Sequence, residues 1–225
     1  ENNMAVQQFL MMGRAGLDTR NIISGSMWVW GRNNYGQNAT GNTTTTSVPL
    51  QVGSLTTWQN TMSPACYEGS RNVVKSDGTM WAWGRNNSGA NGLGDTTSRS
   101  SPVQVGSDTD WKEAGVYGGN SAAIKTDGTL WTWGSNYIGQ LGNGNTTDRS
   151  SPVQVGSATD WEHLLMDGSN SDWTLVMKSN GAIYYAGTGS HAGLADVNTF
   201  TQLGSETGFT DAALSGKSMI MWKEA

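Results

Sequence analysis

The chain has 225 residues and carries 13 Lys and Arg against 18 Asp and Glu, a formal charge of −5. Only 14% of the residues are charged, no stretch approaches the roughly 18 apolar residues that span a bilayer, and there is no Lys/Arg cluster to neutralise nucleic-acid phosphates. Leu, Ile, Val and Phe total 35, a fraction low enough to suggest disorder, but 11 Trp and 10 Met argue for a folded, turn-rich protein with a tryptophan-built core. One cysteine, Cys66, excludes an internal disulfide and reads as a buried thiol. No signal peptide is legible in the opening residues.

In chain order, residues 4–23 read as a degenerate half-unit with Phe9 at its aromatic position, and Phe9, Leu10, Met11 and Met12 are expected to be covered. A helix is conceivable only around Ala5–Met12. A first full unit opens at Ser24 with SGSMWVWG and runs through SVPLQVGS to Trp58. The next two, 76–111 and 126–161, align without a gap and are identical at 24 of 36 positions. A decayed copy begins at Asn180 with NGAIYYAG and runs to Phe209. The glycines closing the W-x-W-G strings, Gly31, Gly84, Gly134 and Gly187, lie 53, 50 and 53 residues apart, which sets a period near 50. The domain reading is one unit over 1–225, with 1–23 as an N-terminal half-repeat followed by repeats 24–75, 76–125, 126–178 and 179–225.

Each unit reads as β-structure. Trp28-Val29-Trp30, Trp81-Ala82-Trp83 and Trp131-Thr132-Trp133 place both indoles on one strand face, and one member of each pair is expected to be core. Ser76-Asp77-Gly78-Thr79 and Thr126-Asp127-Gly128-Thr129 read as type I′ hairpin turns joining Val73–Lys75 to Met80–Trp83 and Ala122–Lys125 to Leu130–Trp133. Pro49, Pro102 and Pro152 recur at the entry to the following Val-Gln-Val strand, where a missing N–H is tolerable. Regular four-strand units of this length, rich in Gly and Trp, predict an all-β fold: a β-propeller of about four to five blades.

The recurring W-x-W-G-x-N-x-x-G-Q-L-G, most complete from Trp131 to Pro152 and preceded by a D-G-T-L-W turn, resembles the repeat of the regulator of chromosome condensation family. The resemblance implies a propeller over roughly residues 24–209. It departs from the family in having four units plus a half where founding members have seven blades. It also lacks the hairpin wedge and basic tail that the eukaryotic exchange factor uses on its GTPase and on chromatin. In the fourth unit Tyr184 stands for Trp131 and Ala186 for Trp133. The Thr/Asn-rich, acidic style is closer to repeats of bacterial and bacteriophage surface proteins.

No catalytic, cofactor or metal site is expected. His163 and His191 are the only histidines and lie in different units. Asp108 with Asp110, and Asp160 with Glu162, flank a repeated Trp but correspond to Leu55 and Thr57 in the first unit, so they read as solvated loop carboxylates. Gly89-Ala90-Asn91-Gly92 lacks the Lys-Ser/Thr of a phosphate loop and reads as a propeller turn. Asn38, Asn42, Asn86 and Asn145 open sequons that arise from composition, and Arg99 and Arg149 of the repeated R-S-S-P read as structural links. The function expected is non-enzymatic: a structural or recognition propeller at an extracellular or virion surface, such as a bacteriophage tail fibre or capsid decoration. It would meet a protein or glycan partner through its loops, as a homo-oligomer or in a symmetric particle, with no nucleic acid and no membrane insertion. The alternatives are a soluble inhibitory module, similar to the propeller inhibitors of β-lactamase, and, further off, a GTPase regulator.

Overall fold

The computed structural model describes residues 24–59, 69–165, 172–188, 193–215 and 218–223. All regular structure in the described residues is β. A first hairpin joins β2 (Trp28–Gly31) to β3 (Thr46–Gln51). The second sheet runs β5 (Ser70–Val74), β6 (Met80–Gly84), β7 (Arg99–Gln104), and β4 (Trp58–Gln59) joins it through the Trp58–Lys75 bridge. The short β1 (Ser24–Gly25) pairs with β4. Two complete four-stranded meanders follow: β8 (Trp111–Tyr117), β9 (Asn120–Lys125), β10 (Leu130–Gly134), β11 (Arg149–Gln154), and then β12 (Trp161–Leu164), β13 (Trp173–Lys178), β14 (Ile183–Gly187), β15 (Val197–Gln202). A last hairpin pairs β16 (Phe209–Ser215) with β17 (Ser218–Lys223). These five successive sheets are the blades of an all-β propeller. Each four-stranded sheet combines the second half of one sequence repeat with the first half of the next.

Burial orders the strands within a blade. Every side chain of β9 is buried, whereas β11 alternates between half-buried and exposed and pairs only with β10. The proline-bearing strands β3, β7 and β11 are therefore edges, where the missing N–H of Pro49, Pro102 and Pro152 leaves no ladder bond unmade. Apolar clusters fill the space between neighbouring blades. One combines Val74, Met80 and Ala82 with Trp111, Ala123 and Trp133; the next combines Ile124, Leu130 and Val155 with Trp161, Leu164 and Val176.

The second Trp of each pair is the inter-blade wedge. Trp83 and Trp133 are fully buried, and each donates its indole N–H backwards, to the Gln37 carbonyl at 3.0 Å and the Ala90 carbonyl at 2.8 Å. The expectation fails in the first unit. Trp28 and Trp30 are 53% and 60% exposed, because the described residues place no earlier loop against β2 to receive them. The turn type is also corrected. Gly78 has φ of 77° while Asp77 has no positive φ, and the bonds Gly78 N–H to Lys75 O and Lys75 N–H to Thr79 O enclose three residues. This is a type I turn closed by a left-handed glycine, the three-residue hairpin, and Gly128 repeats it with φ of 78°. Residues 4–23, with the half-unit, the Ala5–Met12 helix and the Phe9–Met12 run, lie outside the described residues, as do Cys66 and His191.

Candidate binding surfaces

The D-G-T-x-W turn orients the first Trp of each unit. Asp127 Oδ1 accepts from the Thr129 backbone N–H at 3.0 Å and from its hydroxyl at 2.7 Å, and Trp131 Nε1 donates to that same hydroxyl at 3.0 Å. Asp77, Thr79 and Trp81 repeat the relay. The Thr hydroxyl, then the Thr backbone N–H, hold the carboxyls of Asp77 and Asp127 below the usual carboxylate range. The relay fixes the indole edge-on to the Trp that opens the blade, as in the 78° crossing of Trp111 and Trp131.

A lysine sits over each aromatic pair. Lys75 Nζ lies 3.6 Å from the Trp81 ring centre and 4.8 Å from that of Trp58. Lys125 lies about equally far from Trp111 and Trp131, and Lys178 does the same over Trp161 and Tyr184. Sequence reasoning missed these lysines, although their recurrence one residue before each turn was the available signal. The carboxylates flanking the Trp complete two of the three cages: Lys125 pairs with Asp108 at 2.7 Å and Asp110 at 3.1 Å, and Lys178 with Asp160 at 2.9 Å. These acids are therefore ion-pair partners as well as half-exposed loop groups. Burial alone would lower the Lys125 amine, but the hydrogen bonds it donates to Asp108 and Asp110 outweigh that and the net direction is up. Lys75, whose unit has Leu55 and Thr57 at the positions of Asp108 and Asp110, is lowered by burial, with Asp77 only partly opposing.

On the opposite edge of the sheets, the W-G-x-N loops are pinned from within. The Asn136 side-chain amide donates to the carbonyls of Asn145 at 2.9 Å and Thr147 at 3.1 Å, and its Oδ1 accepts from Leu141 N–H at 2.9 Å. Asn33 and Asn86 make the equivalent bonds, and all three are fully buried. The sequon asparagines are thus more than composition. Asn86 organises its loop, buried Asn38 donates to the Gly31 carbonyl, and Asn42 and Asn145 accept from N–H groups two residues on. Gly89-Ala90-Asn91-Gly92 is a blade-packing turn: a Cβ on Gly89 would meet Ser150 Cα at 2.6 Å.

His163 lies at the junction of β8 and β12. Its Nδ1 is 3.6 Å from buried Glu113, its Nε2 is 3.9 Å from Glu162, and Lys112 reaches Glu162 at 2.6 Å. The group links two inner strands. Among the described residues no cluster of three or more His, Cys, Asp or Glu is placed to hold a metal, and no helix is long and apolar enough to cross a membrane.

Between the third and fourth blades runs a groove of about 560 Å³, bounded by loop residues Gly142–Asn145, by Arg149 and Val153–Ala158, and by the aromatic wall Trp161, Tyr184 and Phe200. Its two sides are stitched by Gly144 N–H to the Asn198 carbonyl at 2.7 Å.

The model of the regulator of chromosome condensation (RCC1) repeat matches residues 24–66, 77–121 and 127–163, more than half of the chain. The chain belongs to the RCC1 repeat family. Its blades superpose on solved RCC1-type propellers. Prp20p from Saccharomyces cerevisiae, studied with its binding to Gsp1p and histones, matches with a TM-score of 0.68 at 15% identity over 84% of this chain and 50% of that one. Yeast RCC1 (Prp20) bound by Kap60 gives 0.67, 15%, 84% and 48%. Human WBSCR16 gives 0.63, 17%, 80% and 47%. This chain thus spans about half the length of these structures. At such identities the likeness shows the fold.

Proposed function

We propose that this RCC1-repeat chain is a non-catalytic recognition module that engages a protein partner through surfaces held rigid by the blades. The observation that carries the reading is the construction of the loops. Asn33, Asn86 and Asn136 spend their hydrogen bonds inside the loop, so the exposed tips, such as Asn87 and Tyr137, are presented on fixed backbone. Family membership supports it, since the solved relatives include yeast RCC1 with Kap60 and a study of Prp20p binding to Gsp1p and histones. The environment of His163, two carboxylates and a lysine, supports a structural rather than a catalytic role for that side chain.

The setting we infer is the surface of a bacteriophage particle or a bacterial cell, as a tail fibre, capsid decoration or related extracellular component in a symmetric assembly. Its support is the acidic, Thr/Asn/Gly-rich composition and the near-identity of repeats 76–111 and 126–161. Sedimentation of the tagged chain from its native source tests both levels. Co-sedimentation with one stoichiometric protein partner supports recognition, and co-sedimentation with a particle supports the setting. A chain that sediments alone at its own mass contradicts both.

A further inference from the structure

We propose that the groove between the third and fourth blades binds an acidic peptide, with a carboxylate seated against Arg149 and Asn143. The proposal rests on the protein-recognition reading and gives it a partner chemistry.

The two R-S-S-P strings act as an internal comparison. Arg99 is fully engaged: its Nη2 donates to Asp95 Oδ2 at 2.6 Å and its Nη1 to the Thr97 carbonyl at 2.5 Å. In the next unit the place of Asp95 is taken by Asn145, whose Oδ1 instead accepts from Thr147 N–H at 2.9 Å. The neighbouring acid, Asp148, is occupied with Asn136 N–H at 2.8 Å. The Arg149 backbone pairs with Gly134, but its guanidinium is left with no hydrogen bond or ion pair among the described residues, and it lines the groove.

A second, independent observation lies beside it. Asn143 also lines the groove, and its Oδ1 accepts from Asn136 Nδ2 at 3.3 Å, which fixes which way the amide faces. The Asn143 Nδ2 that results is shielded from water and has no acceptor, as is Nε1 of Trp161 on the opposite wall. The indole N–H is equally unpartnered in Trp58 and Trp111, so Asn143 and Arg149 are what distinguish this groove. An unfilled buried donor is unfavourable until an acceptor arrives. A guanidinium and an amide, both donors only at these positions, call for an anionic oxygen ligand, and a planar carboxylate matches the guanidinium fork. The groove volume exceeds what one carboxylate fills and suits a few residues of chain. Its aromatic wall and the outer edge of β11, which has no strand beside it past the Ser150 carbonyl that accepts from Gly94 N–H at 2.8 Å, favour an extended peptide with apolar neighbours to the acid.

The test is an NMR titration of the whole chain with the capped peptide Ac-Gly-Val-Glu-Val-Gly-NH2, its Gln counterpart and trigalacturonate. The Glu peptide is expected to shift the Arg149 Nε–H and Asn143 side-chain amide signals saturably and to bind about tenfold or more tighter than the Gln peptide, the size of one charge-assisted hydrogen bond. Arg149→Gln should remove that advantage, while Arg99→Gln should leave it intact. Equal affinity of the Glu and Gln peptides overturns the proposal, as does an Arg149→Gln variant that keeps the preference. Preference for trigalacturonate over the Glu peptide overturns it too. The Glu/Gln comparison uses the unaltered chain, so misfolding of a variant does not remove the test. If the peptides fail while the chain still co-sediments with a protein partner, the groove assignment falls and protein recognition stands.

Discussion

Phe200 stands against Gly142 where, one interface earlier, the indole of Trp133 stands against Gly92. A Cβ on Gly92 would lie 2.8 Å from Trp133 Nε1, and a Cβ on Gly142 would lie 2.3 Å from Phe200 Cδ2 and 3.1 Å from the Ala186 methyl. Ala186 occupies the strand position of Trp133, and Phe200 that of Pro152. The wedge has thus moved from the middle strand to the edge strand. The carbonyl at the Ala90 position, Gln140 O, keeps its hydroxyl donor, Thr174 Oγ1 at 2.7 Å, as Ala90 O keeps Ser121 Oγ at 2.8 Å beside the Trp133 indole. Phe200→Ala is expected to cost about 2–3 kcal/mol, less than a fully buried Phe because the ring is half-buried. Ala186→Trp should be more destabilising, and Ala186→Trp with Phe200→Pro should recover most of the loss. Chemical denaturation of the three variants reads this, and additive losses in the double variant would contradict the exchange.

The three lysine cages should separate by partner. Lys125→Met leaves Asp108 and Asp110 facing each other and is expected to cost about 1–2 kcal/mol. Lys75→Met removes an amine that burial disfavours and keeps the contact with Trp58 and Trp81, so thermal stability should stay level or rise. The Lys125 pKa is raised above 10.5, so its contribution is complete below that pH and is lost as pH climbs through the folded value. The stability gap between wild type and Lys125→Met should therefore close in alkaline solution, as urea melts across that range will show.

The turn relay predicts an acid-side effect. Asp127 titrates below 3.8 because the Thr129 hydroxyl and then its N–H favour the carboxylate. Thr129→Val should move the Asp127 carboxyl upward and release the Trp131 indole N–H. Stability contributed by the depressed carboxyl is present above 3.8 and fades as pH falls through the folded value. Carboxyl carbon NMR across the acid range measures the shift, and an unchanged Asp127 in the variant would show that the hydroxyl is not its cause.

Loop rigidity should depend on one side chain. Asn136→Ala strips the Asn145 and Thr147 carbonyls and the Leu141 N–H of partners, for an expected loss of about 2–3 kcal/mol. Hydrogen exchange at Leu141 should accelerate sharply, while β9, in the same blade but away from the loop, should keep its protection.

Much of the fold was legible in the sequence, because near-identical repeats expose period, strands and turns together. The strands at Met80–Trp83 and Leu130–Trp133 and the burial of one Trp of each pair follow from pattern alone, whereas the identity of the buried member, Trp83 and Trp133, and the edge position of the proline strands needed the packing of neighbouring blades. Trp28 and Trp30 were misjudged, since burial of an inter-blade wedge depends on the blade before it and not on its own strand. The turn type escaped because Asp-Gly serves both two-residue and three-residue hairpins, and only the conformation of Asp77 separates them. Phe200 carried no signal, as its role appears only once Ala186 is known to have vacated the space beside it. At the groove, the change from Asp95 to Asn145 was visible in the aligned repeats, but its consequence for Arg149 required the side-chain partners.

Recognition of a protein through fixed surfaces is tested most directly by site-specific photocrosslinking in the native source. The crosslinker is placed at Asn87 and Tyr137 on the loop side, at Thr109 and Thr159 on the turn side, and at Val153 beside the groove. The account predicts protein adducts of one defined mass that concentrate at one of these surfaces and vanish from the others. Absence of protein adducts at every position, or equal labelling of unrelated proteins at all five, would contradict it.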